Sequence, residues 1–133
     1  EIPDRLEALP IDNQPLPRPT ERMDLVDIRN ALKSLMWRCV GVQREEIRLK
    51  QAIASIERWQ NYVLPCEFRD RTGWELQNML TVSAIVSAAA LQREESRGVH
   101  QRMDFPGLDD ENWQCHIPQL RPATPPQSDN QSA

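Results

Sequence analysis

A chain of 133 residues with 39% hydrophobic and 27% charged side chains has room for one domain and apolar surface enough for a core, which excludes wholesale disorder. A formal net charge of -4 removes any general attraction to nucleic acid or anionic lipid. No apolar run approaches the roughly 18 residues that a membrane span needs.

Three cysteines, Cys39, Cys66 and Cys115, are an odd number, widely spaced and without a Cys-x-x-Cys. Free thiols in a reducing, cytoplasmic compartment are expected rather than a disulfide framework. The chain opens at Glu1 in a proline-rich stretch and shows no charged-then-apolar leader, so it reads as a cut inside a longer protein.

Proline partitions the sequence. Five of the eleven lie between Pro3 and Pro19, five between Pro106 and Pro126, and only Pro65 falls between these groups. Proline lacks the amide donor and fixes φ, so residues 1–20 read as an extended linker. Residues 21–105 are left for regular structure. Residues 106–133 read as an irregular exit loop, with a tail rich in Pro, Gln, Ser and Asn that reads as disordered from Arg121. There is no internal repeat and no alternating strand pattern.

The middle is helical by period. Leu25, Ile28, Leu32, Leu35, Met36 and Cys39 recur at three- and four-residue steps, which places them on one face. Asp24 is the expected N-cap, Asp27 suits the positive end of the dipole, and Gly41 is expected to loosen or end this first helix. A second helix is predicted from about Arg44 to Tyr62, carrying Ile47, Leu49, Ala52, Ile53, Ile56, Trp59 and Val63 inward. Pro65 closes it, because the residue before proline is pushed out of the α region.

For the third helix Thr72-Gly73-Trp74-Glu75 reads as a capping box. Leu76, Met79, Leu80, Val82, Ser83, Ile85, Val86, Ala89 and Ala90 form a broad apolar face, and Ala88 to Ala90 would let another backbone approach closely. Gly98, after a charged last turn, suits a left-handed stop. The fold class expected is all-α, an antiparallel three-helix bundle of spectrin-repeat-like form with an extended N-terminal segment and an irregular tail. Trp37, Trp59, Trp74 and Trp113 are more aromatic surface than such a bundle hides, so part of it is expected to face another domain.

Chemistry-bearing patterns are few. The four glycines, Gly41, Gly73, Gly98 and Gly107, assemble neither a dinucleotide fingerprint nor a P-loop. His100, Cys115, His116 and Asp104 match no familiar zinc spacing, and no metal site is assigned. A Cys-His nucleophile pair built on Cys66 or Cys115 has no supporting element. Cys39 reads as a small core residue.

The stretch Arg93 to Pro106 is dense in charge, and Arg93 and Arg97 share a helical face just before the expected stop. Such cations want carboxylates or the carbonyls at the negative end of the helix. The expected role is therefore a structural charge network of Arg93, Glu95, Arg97, His100, Arg102 and Asp104 that anchors the following loop. A substrate carboxylate gripped by Arg97 or His100 is the alternative.

The same stretch carries a resemblance. Arg93-Glu94-Glu95-Ser96-Arg97-Gly98-Val99-His100, followed by Arg102, Asp104-Phe105-Pro106 and Asp109-Asp110-Glu111-Asn112-Trp113, resembles the C-terminal region of the succinate dehydrogenase, fumarate reductase and L-aspartate oxidase flavoproteins. Leu35-Met36-Trp37 with Val40-Gly41-Val42-Gln43-Arg44 resembles the first-helix pattern of L-aspartate oxidases. Glu75 to Leu80 resembles the start of the last bundle helix. The likeness covers about residues 24–116. The Asp109 to Trp113 run is also typical of succinate dehydrogenase flavoproteins, and that alternative stays open.

The resemblance to L-aspartate oxidase implies a whole enzyme that binds FAD on a Rossmann-like domain, with a capping domain closing over a dicarboxylate. It implies hydride removal from L-aspartate to give iminoaspartate, with electrons passed to oxygen or fumarate, at the first committed step of bacterial NAD synthesis. The family's glycine loop, substrate-gripping residues and proton-transfer arginine lie in those other domains. No catalytic, cofactor-binding or metal residue is therefore assigned here. The resemblance leaves a helical domain that packs on its own flavin-binding and capping domains, with Phe105 and Trp113 as interdomain apolar residues. The separated chain is expected to lack FAD, to be inactive and to self-associate. The competing readings are a stand-alone helical interaction module and a small metal-dependent enzyme using His100 and His116.

Overall fold

In the computed structural model, which describes residues 24–119, Asp24 opens α1 (Leu25–Val40) as the sequence predicts, its side chain accepting the Val26 N–H at 2.7 Å. The expected linker at residues 1–20 and the tail from Arg121 lie outside the described residues. After α1 come a two-residue strand β1 (Gln43–Arg44) and α2 (Glu46–Val63). Then follow α3 (Arg71–Gln92), a second short strand β2 (Gln101–Arg102) and a single turn, α4 (Asp110–Trp113).

The core shows how the helices run. Ile28 and Leu32 near the start of α1 pack with Ile56 and Val63 late in α2 and with Leu76 and Leu80 early in α3. At the other end Val40 meets Leu49, Ala52 and Ala90. So α1 and α3 run parallel and α2 antiparallel to both, which makes the bundle all-α, as expected. Arg29 of α1 donates to Glu75 of α3 at 2.5 Å across the starts of the two parallel helices. The Gln77 amide of α3 is directed at the Val63, Leu64 and Cys66 carbonyls, satisfying the open end of α2.

Several expectations are corrected. The cap of α3 is Asp70, which accepts the Gly73 N–H at 2.9 Å; Thr72 lies inside the helix, and Glu75 turns instead to Arg29 and Arg71. Gly73 is there because its open side is filled: an added Cβ would lie 2.1 Å from Phe68 Cγ. Ile47 is 69% exposed rather than inward, because the first turn of α2 turns Leu49 to the core and Ile47, two residues before it, lies on the opposite side of the helix. Gly41 follows α1 with negative φ, and an added Cβ there would meet the Trp37 carbonyl oxygen at 2.5 Å. Space, not handedness, requires that glycine. Cys39 packs half-buried against the second core cluster.

Two short strands also appear where no alternating pattern predicts them. Gln43–Arg44 and Gln101–Arg102 pair in parallel, with Gln101 N–H on the Val42 carbonyl (3.1 Å) and Met103 N–H on that of Arg44 (2.8 Å). This clasp ties the α1–α2 corner to the segment leaving α3. No described helix is long and apolar enough to cross a membrane.

Candidate functional site

The charged stretch leaves the helix earlier than its composition suggests. Arg93 is already extended (φ -78°, ψ 110°), so Gly98 is not the helix stop. Gly98 stands instead at φ 58° in a two-residue turn closed by mutual hydrogen bonds between Arg97 and His100. Only a glycine takes that first turn position without strain. Ser96 organises the loop behind it. Its N–H donates to the Gly107 carbonyl, while its hydroxyl accepts the Arg102 N–H at 2.8 Å and is directed at the Phe105 carbonyl at 2.8 Å.

Glu95 is the first hub, at 0% exposure. Its Oε1 accepts from Arg93 Nη1 (2.6 Å) and Arg97 Nε (2.8 Å), its Oε2 from Arg97 Nη2 (3.1 Å) and the Asp109 N–H (3.0 Å). The Arg97 guanidinium is the main reason the carboxyl is held down at about 2, against the opposing effect of burial. Arg97 also pairs with Asp110, and its own acidity is weakened by the two carboxylates. Arg93 spans outward to the Trp113 and Cys115 carbonyls (2.7 and 2.6 Å) and lies 5.6 Å from the centre of the Trp113 ring.

Arg102 is the second hub, buried at 2% exposure. Its Nη1 is directed at the carbonyls of Ala90, Leu91 and Arg93, which closes the C-terminus of α3. Its Nε and Nη2 grip both oxygens of Asp104 at 2.7 Å each. Asp104 Oδ2 in turn accepts the Glu46 N–H at the start of α2 (3.0 Å), and its carboxyl is lowered to about 2, chiefly by Arg102. Phe105 lies under the same guanidinium, 4.8 Å from the ring centre.

His100 completes the group through a residue that sequence reasoning missed. Arg44 donates Nε to the Gly41 carbonyl at 2.6 Å and places Nη1 2.6 Å from His100 Nδ1. A guanidinium has no acceptor, so Nδ1 carries the lone pair, and Nε2–H donates to the Arg93 carbonyl at 3.3 Å. Burial, with the neighbouring guanidiniums, lowers the imidazole pKa.

All six residues expected in the network, Arg93, Glu95, Arg97, His100, Arg102 and Asp104, are thus brought together. Arg44, Ser96, Asp109 and Asp110 join them. Asp110 meets Arg97 across 13 residues, and nothing local to Arg44 points 56 residues ahead. Phe105 and Trp113 are both half-buried, each beside a guanidinium. Cys115 and His116 are exposed, and no group of three metal-ligating side chains forms among the described residues.

The network's polar atoms are occupied by one another, which suits a structural joint. A pyrophosphate finds no cradle: Gly73, the glycine that opens a helix, is blocked by Phe68. The open surface is elsewhere. Between α1 and α3 lies a groove of about 660 Å³ lined by Leu32, Met36, Trp37, Val40, Met79 and Val82, with Trp37 83% exposed. Ile85 and Val86 continue the exposed apolar face of α3, and Trp74 is also exposed.

Residues 29–124 match the family described as fumarate reductase flavoprotein C-term. The chain belongs to this family. As a flavoprotein C-terminal domain it is 33% identical over 99 residues to the fumarate reductase flavoprotein subunit of Helicobacter pylori, covering 68% of this chain and 14% of that subunit. It is 35% identical over 91 residues to the L-aspartate oxidase of Acinetobacter baylyi, covering 65% and 17%. It is 30% identical over 103 residues to the succinate dehydrogenase flavoprotein subunit of Coxiella burnetii, covering 71% and 18%. Among solved structures it is similar to Mycobacterium smegmatis Sdh1 in complex with UQ1, with TM-score 0.58 and 31% identity over 71% of this chain and 17% of that one. The flavoprotein C-terminal domain therefore spans 14% to 18% of these relatives' own length.

Proposed function

We propose that this chain is the C-terminal helical domain of an FAD-dependent L-aspartate oxidase, the enzyme that converts L-aspartate to iminoaspartate for NAD synthesis. The observation that carries this reading is the run Leu35 to Arg44, which resembles the oxidases. Gly41 and Arg44 within that run have fixed duties, because Gly41 leaves no room for a Cβ and Arg44 reaches both the Gly41 carbonyl and His100. The 35% identity to the Acinetobacter baylyi oxidase supports it.

In this reading the domain is structural and works in the cytoplasm. FAD is held by a separate flavin-binding domain, and a capping domain closes over the dicarboxylate. The network of Arg93, Glu95, Arg97, His100, Arg102 and Asp104 fixes the direction in which the chain leaves the bundle. Phe105, Trp113 and the apolar α1–α3 groove offer the surface for docking on the flavin domain.

A second reading, the same domain of a succinate dehydrogenase or fumarate reductase flavoprotein subunit, is favoured by Asp109 to Trp113 and by the 31% identity to Sdh1. The complete flavoprotein, assayed with L-aspartate and succinate side by side, decides between them. Turnover of L-aspartate without succinate oxidation is expected; succinate oxidation alone would replace the first reading by the second. The separated 133-residue chain is expected to be colourless and inactive towards both. Flavin absorbance in stoichiometric amount would overturn that expectation.

A further inference from the structure

We propose that His100 is a proton-sensitive latch: as a neutral imidazole it closes the β1–β2 clasp on Arg44, and on protonation it lets that short ladder open. The inference stands on geometry and does not depend on which flavoprotein the domain serves.

The Arg44 guanidinium can only donate, and it meets His100 Nδ1 at 2.6 Å. The opposite ring nitrogen donates to the Arg93 carbonyl. Both faces of the contact are therefore specified by the neutral form. A proton on Nδ1 puts two donors, both cationic, at one hydrogen bond. The first contact is lost and becomes repulsive.

The surroundings offer the cation no compensation. Arg44 faces the ring from β1, Arg93 from the end of α3 and Arg102 from β2, and all three guanidiniums oppose a charge on it. The nearby carboxylate of Asp104 is held by both prongs of Arg102 and by the Glu46 N–H. Glu94 and Glu46 act on Arg102, and no described carboxylate bonds the imidazole. Burial works in the same direction.

What the latch holds is small. The clasp is a ladder of two residue pairs, and the Gln101 N–H and Met103 N–H bond across it immediately beside His100. A two-residue parallel pair has little stability of its own, so the Arg44–His100 contact weighs on whether its ladder persists, while Arg102 and Asp104 keep the following residues on α3 and Glu46. Its opening would expose the ladder amides without disturbing the core at Leu80 and Ile56.

Amide hydrogen exchange on the 133-residue chain tests this between pH 7.5 and 5.5, above the range in which Glu95 and Asp104 protonate. Protection of the Gln101 and Met103 amides, corrected for intrinsic exchange, should fall by up to about tenfold per pH unit once the ring begins to titrate. Core amides such as Leu80 should not change. In His100→Gln, neutral throughout, the pH dependence should vanish, with exposed His116 left as an internal comparison. Arg44→Gln provides a second arm, since removing that cation should move the His100 ring titration towards its ordinary value. Protection of Gln101 and Met103 that ignores pH in the wild-type chain would overturn the proposal. So would an unchanged pH response in His100→Gln, or a ring titration indifferent to Arg44→Gln.

Discussion

Arg102 and Asp104, two residues apart on the exit segment, form a two-pronged ion pair whose outer contacts reach both neighbouring helices. Through the Ala90, Leu91 and Arg93 carbonyls the pair closes α3, and through the Glu46 N–H it opens α2. Arg102→Met should therefore lower stability by about 3–5 kcal/mol, since it leaves helix carbonyls and a carboxylate without their partner. Arg102→Lys should recover only part, because an ammonium cannot serve a carboxylate bidentately while also meeting the carbonyls. Urea unfolding of the two variants checks the order.

Glu95 gathers four donors, whereas Arg97 contributes two of them and reaches Asp110 from the half-exposed rim. Glu95→Ala should lower the urea midpoint more than Arg97→Ala does. Under the proposed function, Arg97→Ala in the complete flavoprotein should affect stability or docking and leave KM for the dicarboxylate little changed. A hundredfold rise in KM at unchanged stability would make Arg97 a substrate ligand instead.

Acid should loosen the exit segment in two steps. Glu95 and Asp104 are lowered to about 2 in the folded chain, so it binds fewer protons than the unfolded chain below their ordinary range. Their contribution is complete above about pH 4.5 and is lost as pH falls towards 2. His100 is also lowered, so its contribution is present above about pH 6.5 and declines first. Thermal melts from pH 7.5 to 2.5 should show both declines, with the upper one absent in His100→Gln.

Gly73→Ala should destabilise although alanine is the better helix former. The added methyl would stand 2.1 Å from Phe68 Cγ and 2.5 Å from its Cβ, atoms that cannot swing aside. Overpacking of about 1–3 kcal/mol exceeds the roughly 1 kcal/mol gained in propensity. Phe68→Ala in the same chain should relieve the clash, a coupling that a double-mutant cycle would measure.

The separated chain should self-associate at tens of micromolar in sedimentation. Covering even about 300 Å² of apolar surface at roughly 25 cal/mol per Å² contributes several kcal/mol before association entropy is subtracted. The exposed Trp37 and the adjoining groove make Trp37→Lys the substitution expected to restore a monomer. Trp113→Ala, which removes a ring beside Arg93, should act more on stability.

Much of the bundle was legible because helix faces repeat locally: Ile28 and Leu32, Leu49 and Ile56, Leu76 and Leu80 announce themselves by spacing. The starts and stops were less so. Thr72 and Glu75 carry a capping signature, but Glu75 is claimed by Arg29, 46 residues upstream, and Asp70 is left to cap. Arg93 leaves the helix before Gly98 because Arg102, nine residues on, takes up its carbonyl. Six members of the charge network, Arg93 to Asp104, stand out by charge density, but Arg44, Ser96, Asp109 and Asp110 do not. Their arrangement could not be read from density, since Arg44 reaches them from the far side of two helices.

The clasp also dictates an order of assembly. A parallel pair cannot be closed by a tight turn, and its two strands flank the whole of α2 and α3. Bringing Arg44 to His100 before those helices form would mean closing a loop of 56 residues for a few hydrogen bonds. The helices must therefore pack first, and the ladder joins last, as a small unit that can detach and reattach while the bundle stays intact. A ribosome-bound or truncated chain ending before Gln101 would hold three helices yet lack its final stitch.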